Sequence, residues 1–560
     1  MPSKMPSILA LAFALARFAP AADAPASAIV VPNFHPACCG WLADFSVERS
    51  HCGNSYLDHL DKVRDDPNYS FALSEVPNMI AMMEFEPGRV EELKRRIREG
   101  RVELANAFFL EPTINLSGGE ALVKSGVEGL RWQTAVLGAR PRLAWMIDVC
   151  GVHEQMAQIV KGLGLDAFVY TRDNPTGSAI HWAEAPDGSR ALAISPGGYA
   201  EWGKIFASTT ALSRADVEGH VKDAIARMAI TPKDAPVLVL GGSGDYSLPP
   251  RFAGNPRAFL ETWKEVAPGT SLRFAGPSAY LDAVLPGLRS GAIQIPTMRG
   301  GTAFEFNAFW MEMPRVKEWY RRCEQNLQAA EMAATAASVE GKCAYPAQDL
   351  YRAWLQMLLN MDRNTLWGAA GGMVFESERS WDAKDRFEWV ERKSAEVTEA
   401  ALRPLGGGVF NPLNWERSDP AIVAEDRVPA GAVAQKLPGG GAAIKLALPA
   451  LGIGPVREAK AARAPDSGTS GPIETQFYIA RIDPATGGLA SLKLKPSMRE
   501  MLGGPANVIV AERNVDPRIE PYHFPADRPG RKRVGNSGSS GARIDVVAGP
   551  LATAVTAESD

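Results

Sequence analysis

Residues 142–160, RLAWMIDVCGVHEQMAQIV, decide how the chain is read. Leu143 to Ile147 form a short apolar run, and Val152, Met156, Ile159 and Val160 then recur at helical spacing. The stretch therefore predicts a strand, a loop and a helix, with Asp148 at the carboxyl end of the strand and Gly151 three residues on. Such units, repeated, build a parallel sheet covered by helices. In a barrel of them the chemistry sits on the loops after the strands.

Outward from this stretch, from about 27 to 305, short apolar runs alternate with helical segments: SAIVVPNF, SFALSEV, RVELANAFF, RLAWMIDV, LDAFVYT, RALAIS, APVLVLGG and SLRFAGP. GRVEELKRRIREG, between two of them, carries Val90, Leu93 and Ile97 at helical spacing and closes on Gly100. Polar residues collect at the predicted strand ends: His35, Glu111, Asp148, Arg172 and Asp245. Any one of them fits a salt bridge or a cap, but titratable groups converging on one face are what a catalytic cleft needs.

From 306 to 403 the pattern changes to three long helices, the first with Val316, Tyr320, Cys323, Leu327 and Ala330 on one stripe, which predicts a small bundle. From 404 to 560 Gly- and Pro-punctuated segments read as a β-sandwich, and the last residues still read as strand, so the sandwich is expected to be partial. Residues 1–26 hold Lys4, an apolar stretch from Ile8 to Ala16 and Ala-x-Ala spacing between Ala19 and Ala26. That is the order of a signal peptide, too short to span a membrane, so export to a periplasmic or extracellular space is expected.

The 560 residues carry a net charge of −4 with 22% charged side chains. This well-mixed, mildly acidic composition lacks the basic stripe that nucleic acid requires, and RPGRKR near residue 530 reads as a solvated loop. No further membrane segment is expected, and oligomeric state is not legible. Six cysteines in an exported chain are compatible with one or two disulfides plus buried thiols.

Three longer patterns carry a resemblance. AWMIDVCG resembles a W-x-x-D-x-F-G element with Cys150 in place of the aromatic, FLEPTINLSGGEALV resembles E-P-[D/T]-x-N-L-x-x-G-E, and VFNPLNWERSDP resembles F-N-P-x-x-W-x-R. They stand in the order found in glycoside hydrolase family 38, the zinc-dependent retaining α-mannosidases, and the resemblance covers nearly the whole chain after the leader. It implies a multidomain α/β, α and β chain: a (β/α)7-type barrel over 27–305, a three-helix bundle over 306–403 and the start of the β-domain. Asp148 then matches the nucleophile, which also touches the zinc, and Asp245 in GGSGDYSLPP matches the acid/base. Retention calls for two such carboxyl groups about 5 to 5.5 Å apart. A glycan is the implied substrate.

At the zinc positions the sequence departs from the family. The family's H-x-D-x-x-W is here HPACCGW, which keeps His35 and Trp41 but puts Ala37 or Cys38 in place of the carboxylate. Its L-L-N-x-x-H-D is here LLNMDRNTLWG, with Arg363 where the histidine would stand, flanked by Asp362 and Asn364. Three outcomes follow. Cys38 or Cys39 with Asp362 could rebuild a zinc site around His35 and Asp148. Alternatively the Arg363 guanidinium supplies the positive charge and binds sugar hydroxyls. The third is a catalytically decayed, carbohydrate-binding homologue. A zinc deacetylase on a related barrel would need an aspartate and two histidines at ligand spacing, and the seven histidines offer no such set.

Trp41 and Trp182, the latter in a segment resembling W-x-E-x-P-D-G-S, are candidates to stack on a sugar or to close the barrel mouth. Glu111 and Arg172 are candidate hydroxyl binders or an ion pair. His153 stands near enough to Asp148 to serve the cleft, with a helix cap as its other role.

Overall fold

The computed structural model describes residues 27–33, 35, 38, 45–242, 248–303, 310–311, 313–368, 382–418, 420–428, 432–454, 466–467, 471–514 and 531–559. Residues 1–26, where a signal peptide is expected, and Cys39, Trp41 and Asp245 lie outside the described residues. The chain divides into two units, Met1–Gln325 with Tyr351–Glu391, and Asn326–Leu350 with Arg392–Asp560.

In the first unit each of the eight apolar runs becomes a strand: β1 (Ser27–Val31), β2 (Phe71–Leu73), β3 (Val102–Leu104), β4 (Leu143–Met146), β5 (Ala167–Tyr170), β7 (Arg190–Ile194), β8 (Val237–Leu240) and β9 (Ser271–Phe274). Two more, β6 (Ile180–Glu184) and β10 (Thr297–Arg299), were not legible as strands. β1 pairs in parallel with β8 and β9, β2 with β3, and β4, β5 and β7 with one another. Single backbone bonds join these groups: Ala72 N–H to Pro32 O and Ala107 N–H to Leu143 O, each 2.8 Å.

The parallel succession is thus β8, β1, β2, β3, β4, β5, β7. The expected barrel is not a closed ring among the described residues, because β6 folds back antiparallel on β7 and takes the edge that closure would use. β10 then pairs with β6.

Alternation along the strands feeds two buried clusters. In β1, Ala28 and Val30 pack with one, while Ile29 and Val31 pack with the other, which also holds Leu143, Trp145 and Ile147. Strands buried on both faces read as unbroken apolar runs, and each fully buried Val, Leu or Ile contributes about 1.5–3 kcal/mol. Asn106 ties β3 to β4: its Oδ1 accepts the N–H groups of Trp145 at 3.0 Å and Phe108 at 3.1 Å. The end of β4, which carries Asp148, is fixed from both sides.

The three predicted helices form as Pro314–Val339, Ala347–Asn360 and Asp382–Leu402, and Val316, Tyr320, Cys323, Leu327 and Ala330 are all buried. In the second unit the strands pair antiparallel, as in Pro420–Val423, Ala442–Lys445 and Val433–Lys436. Their buried apolar residues are few, Ile444 and Ala480 among them, while Ile422 and Val433 stay exposed.

Cys150, Cys323 and Cys343 form no disulfide among the described residues. The surroundings give the reason: Cys150 packs against Trp367, and Cys323 Sγ reaches Phe387 O at 3.5 Å. No described helix is long and apolar enough to cross a membrane.

Candidate active site

Strand ends after β1, β2, β3, β4 and β5 bring His35, Glu75, Glu111, Asp148 and Arg172 together, and the turn into the short helix Arg363–Trp367 adds Asp362 and Arg363. Asp148 is the centre. Its Oδ1 accepts a hydrogen bond from Arg172 Nε at 2.6 Å, and its Oδ2 lies 3.2 Å from His35 Nε2 and 3.5 Å from Arg363 Nε. Burial works against a charge here. The hydrogen bond and charge of His35, with Arg172 and Arg363, outweigh it and hold the carboxyl well below the usual range.

Glu111 sits behind Asp148. One oxygen accepts the Asp148 backbone N–H, and the other lies 3.0 Å from Arg363 Nη1 and 3.6 Å from His35 Nδ1. Burial pushes it up to about 8, against the pull of Arg363. Glu111 is 1% exposed and stands in an ion pair with Arg363, the second of the two roles considered for it. Arg363 is also 1% exposed and is out of reach of a sugar. Arg172, with a side chain 24% exposed, is the cation that a substrate could touch.

Glu75 is the residue that sequence reasoning missed. Its Oε2 accepts the Glu111 N–H at 2.9 Å and the Cys38 thiol at 3.3 Å, from a backbone with φ 65°. A glutamate held there costs about 1–3 kcal/mol, which places the strain beside the cluster. Burial raises its carboxyl to about 7. The signal was available, since Glu75 ends the run SFALSEV much as Asp148 ends its own. Tyr199 was missed too; its ring packs on His35 at a 45° tilt with centroids 4.1 Å apart.

Other candidates fall elsewhere. Trp182 pairs with Leu192, which pairs with Ala167 at the start of β5, whereas Asp148 follows Met146, which pairs with Tyr170 at the end of β5. At about 3.3 Å per residue, Trp182 stands about 15 Å below the Asp148 level, where the Arg190 guanidinium covers its ring at 5.2 Å. It cannot stack on a sugar held at Asp148. His153 is exposed and its Nδ1 accepts the Gln155 N–H at 3.2 Å, so it caps the turn before the next helix instead of joining the cleft. Gly151 does more than let the chain turn away. With φ 148°, a Cβ there would meet Asn115 Nδ2 at 2.3 Å and Thr302 O at 2.4 Å.

The residues fit a zinc ion poorly. Among the described residues no group of three or more His, Cys, Asp and Glu side chains could hold a metal. Cys38 is turned toward Glu75 and Asn78, and Asp362 accepts the N–H groups of Cys38, Asn364 and Thr365. His35 and Asp148 remain close, but Arg363 Nη2 is 3.2 Å from His35 Nε2 and its Nε is 3.5 Å from Asp148 Oδ2. A doubly charged ion about 4 Å from a guanidinium would be repelled by roughly 8 kcal/mol at an effective dielectric of about 20.

Residues 25–293 match the family described as Glycosyl hydrolases family 38 N-terminal domain. The chain is 23% identical over 494 residues to alpha-mannosidase 2C1 of Homo sapiens, covering 82% of this chain and 44% of that protein. It is 23% identical over 355 residues to alpha-mannosidase G of Dictyostelium discoideum, covering 62% and 31%. The chain thus spans less than half the length of these relatives. Among solved structures, an alpha-mannosidase from Enterococcus faecalis V583 shares the fold with a TM-score of 0.71 at 16% identity, over 93% of this chain and 66% of that one.

Proposed function

We propose that this chain, which carries a family 38 N-terminal domain over residues 25–293, is a retaining glycosidase that cleaves α-mannosides or related glycosides. The observation that carries this is Asp148: a carboxylate at the end of a buried parallel strand, held ionised with the Arg172 guanidinium on one oxygen and His35 and the Arg363 guanidinium on the other. A nucleophile needs that charge state and that rigid backing.

On this reading Asp148 attacks the anomeric carbon while Asp245, outside the described residues, protonates the leaving oxygen and then activates water. Arg172 shifts from Asp148 toward sugar oxygens as substrate arrives. His35 and Glu111 keep the attacking carboxylate aimed. The succession from β8 through β1 to β7 is then the wall of a barrel, with its chemistry at the carboxyl ends of the strands. Residues 1–26 would direct export to the periplasm or beyond, which N-terminal sequencing of the mature protein would test.

The test is turnover of an aryl α-mannoside. Asp148→Ala should lose at least about a thousandfold in kcat, and proton NMR of early product from the unmodified chain should show the α-anomer. Unchanged turnover in the variant, or the β-anomer first, removes the proposed role. A second reading, binding without cleavage, draws on the same clamp, since both Asp148 oxygens are engaged. A chain that binds mannosides on a glycan array yet turns over no aryl glycoside would favour it.

A further inference from the structure

We infer that the guanidinium of Arg363 is the resident cation of this site and takes the place of a metal ion, so that the chain needs no zinc to fold or to act. The inference rests on the proposed hydrolase reading only for its activity arm. Arg363 is buried among acidic and imidazole side chains: Glu111 Oε2 lies 3.0 Å from Nη1 and Asp148 Oδ2 3.5 Å from Nε as ion-pair contacts, and the His35 nitrogens lie 3.2 and 3.4 Å from Nη2. A planar fork with donors on three sides can serve a carboxylate, a second carboxylate and an imidazole at once, which a lysine ammonium could not do with the same geometry.

The backbone fixes that fork in place. Arg363 N–H donates to Glu111 O at 3.3 Å, the Thr113 hydroxyl donates to Arg363 O at 3.3 Å, and Thr113 N–H donates to Met361 O at 2.9 Å. Asp362 caps the helix that Arg363 opens, with its Oδ1 2.9 Å from the Asn364 nitrogen. Of the side chains considered for completing a metal site, Cys38 is engaged with Glu75 and Asn78 and Asp362 with three backbone N–H groups, while Cys39 lies outside the described residues. An arginine is always charged and has no lone pair for a metal, so the two arrangements exclude each other at this position.

Arg363 acts as a positioning residue. It orients Asp148 and Glu111, favours the ionised form of Asp148 and opposes the rise that burial causes in Glu111, without touching substrate.

The experiment uses the full chain expressed in zinc-supplemented medium and dialysed without chelator. Elemental analysis should find fewer than about 0.1 equivalent of zinc, and titration with Co²⁺ should give no visible band of a tetrahedral site. Turnover of an aryl α-mannoside should be the same with and without EDTA. One equivalent of bound zinc, or a cobalt band that vanishes in His35→Ala, overturns the inference whether or not any glycoside is cleaved.

The positive arm is Arg363→Gln, which should lower kcat by about a hundredfold with KM within about threefold. Since that variant leaves two buried carboxylates facing one imidazole, the double variant Arg363→Gln with Glu111→Gln keeps the local charge closer to balance and serves if the single one does not fold. Full kcat in either folded variant overturns the role. If no glycoside is turned over under any condition, the hydrolase reading fails and the metal measurements alone decide the inference.

Discussion

At Asp148 the strand, the cations and the loop each answer a separate requirement. On the proposed mechanism a sugar oxygen competes with Asp148 Oδ1 for the Arg172 guanidinium, so loss of that side chain should be felt in turnover. Arg172→Met is expected to lower kcat by about ten- to a hundredfold, with thermal stability changed little because the side chain is partly exposed; steady-state kinetics beside a melting curve would check both. Gly151 makes a different demand. Its φ of 148° and the approach of Asn115 Nδ2 and Thr302 O leave no space for a Cβ. Gly151→Ala should destabilise the fold by about 3 kcal/mol, seen as a lower midpoint in urea, and a midpoint equal to the parent would mean that the loop can relax. Asp148 was legible as the polar end of an apolar run. The reason for its glycine was not, because the clash comes from residues 115 and 302, far off in the chain.

At the scale of elements, what showed in the sequence is what is buried on both faces. β4, β5 and β8 are apolar throughout and β1 is so after Ser27, and such runs signal buried parallel strands without help from context. β6 carries His181 and Glu184 among its five residues and gave no such signal, so the hairpin that fills the edge of β7 was missed, and with it the register that carries Trp182 away from Asp148. His181 is a consequence of that hairpin. It is fully buried between Tyr170 Oη at 3.2 Å and Thr176 Oγ1 at 3.5 Å, and burial lowers its pKa from 6.5 to about 4. Between those values the unfolded chain takes up a proton that the native chain refuses. Stability from this residue is therefore complete above about 6.5 and is lost as pH falls toward 4, by about 3 kcal/mol in all. The melting temperature of His181→Gln should fall less steeply than that of the parent between pH 6.5 and 4. Parallel curves would place the proton uptake elsewhere.

Across the whole molecule, the unit that holds the site is not one continuous stretch: it takes in residues up to Gln325 and then Tyr351–Glu391. Family resemblance in LLNMDRNTLWG brought Arg363 to notice, yet no pattern in the sequence tells which way its side chain points, since that is set by Glu111, Thr113 and the Asp362 cap. A sequence boundary drawn at 305 separates Arg363 from the carboxylates that it faces. The electrostatics make that separation testable. A fragment of residues 27–305 would keep Glu75, Glu111 and Asp148 but lose the guanidinium within 3.5 Å of two of them, along with the bridge between Pro112 and Asp362. Removing one partner of a buried ionic group costs about 3–5 kcal/mol, a large part of the 5–15 kcal/mol that stabilises a typical domain. The fragment is therefore expected to bind a hydrophobic dye, to lack near-ultraviolet dichroism and to melt without a cooperative transition, while residues 27–403 retain all three native signatures. Were the shorter fragment to melt cooperatively within a few degrees of the longer one, the buried acids would have to be neutral or hydrated without Arg363, and the charge balance argued for this site would be incidental to its folding.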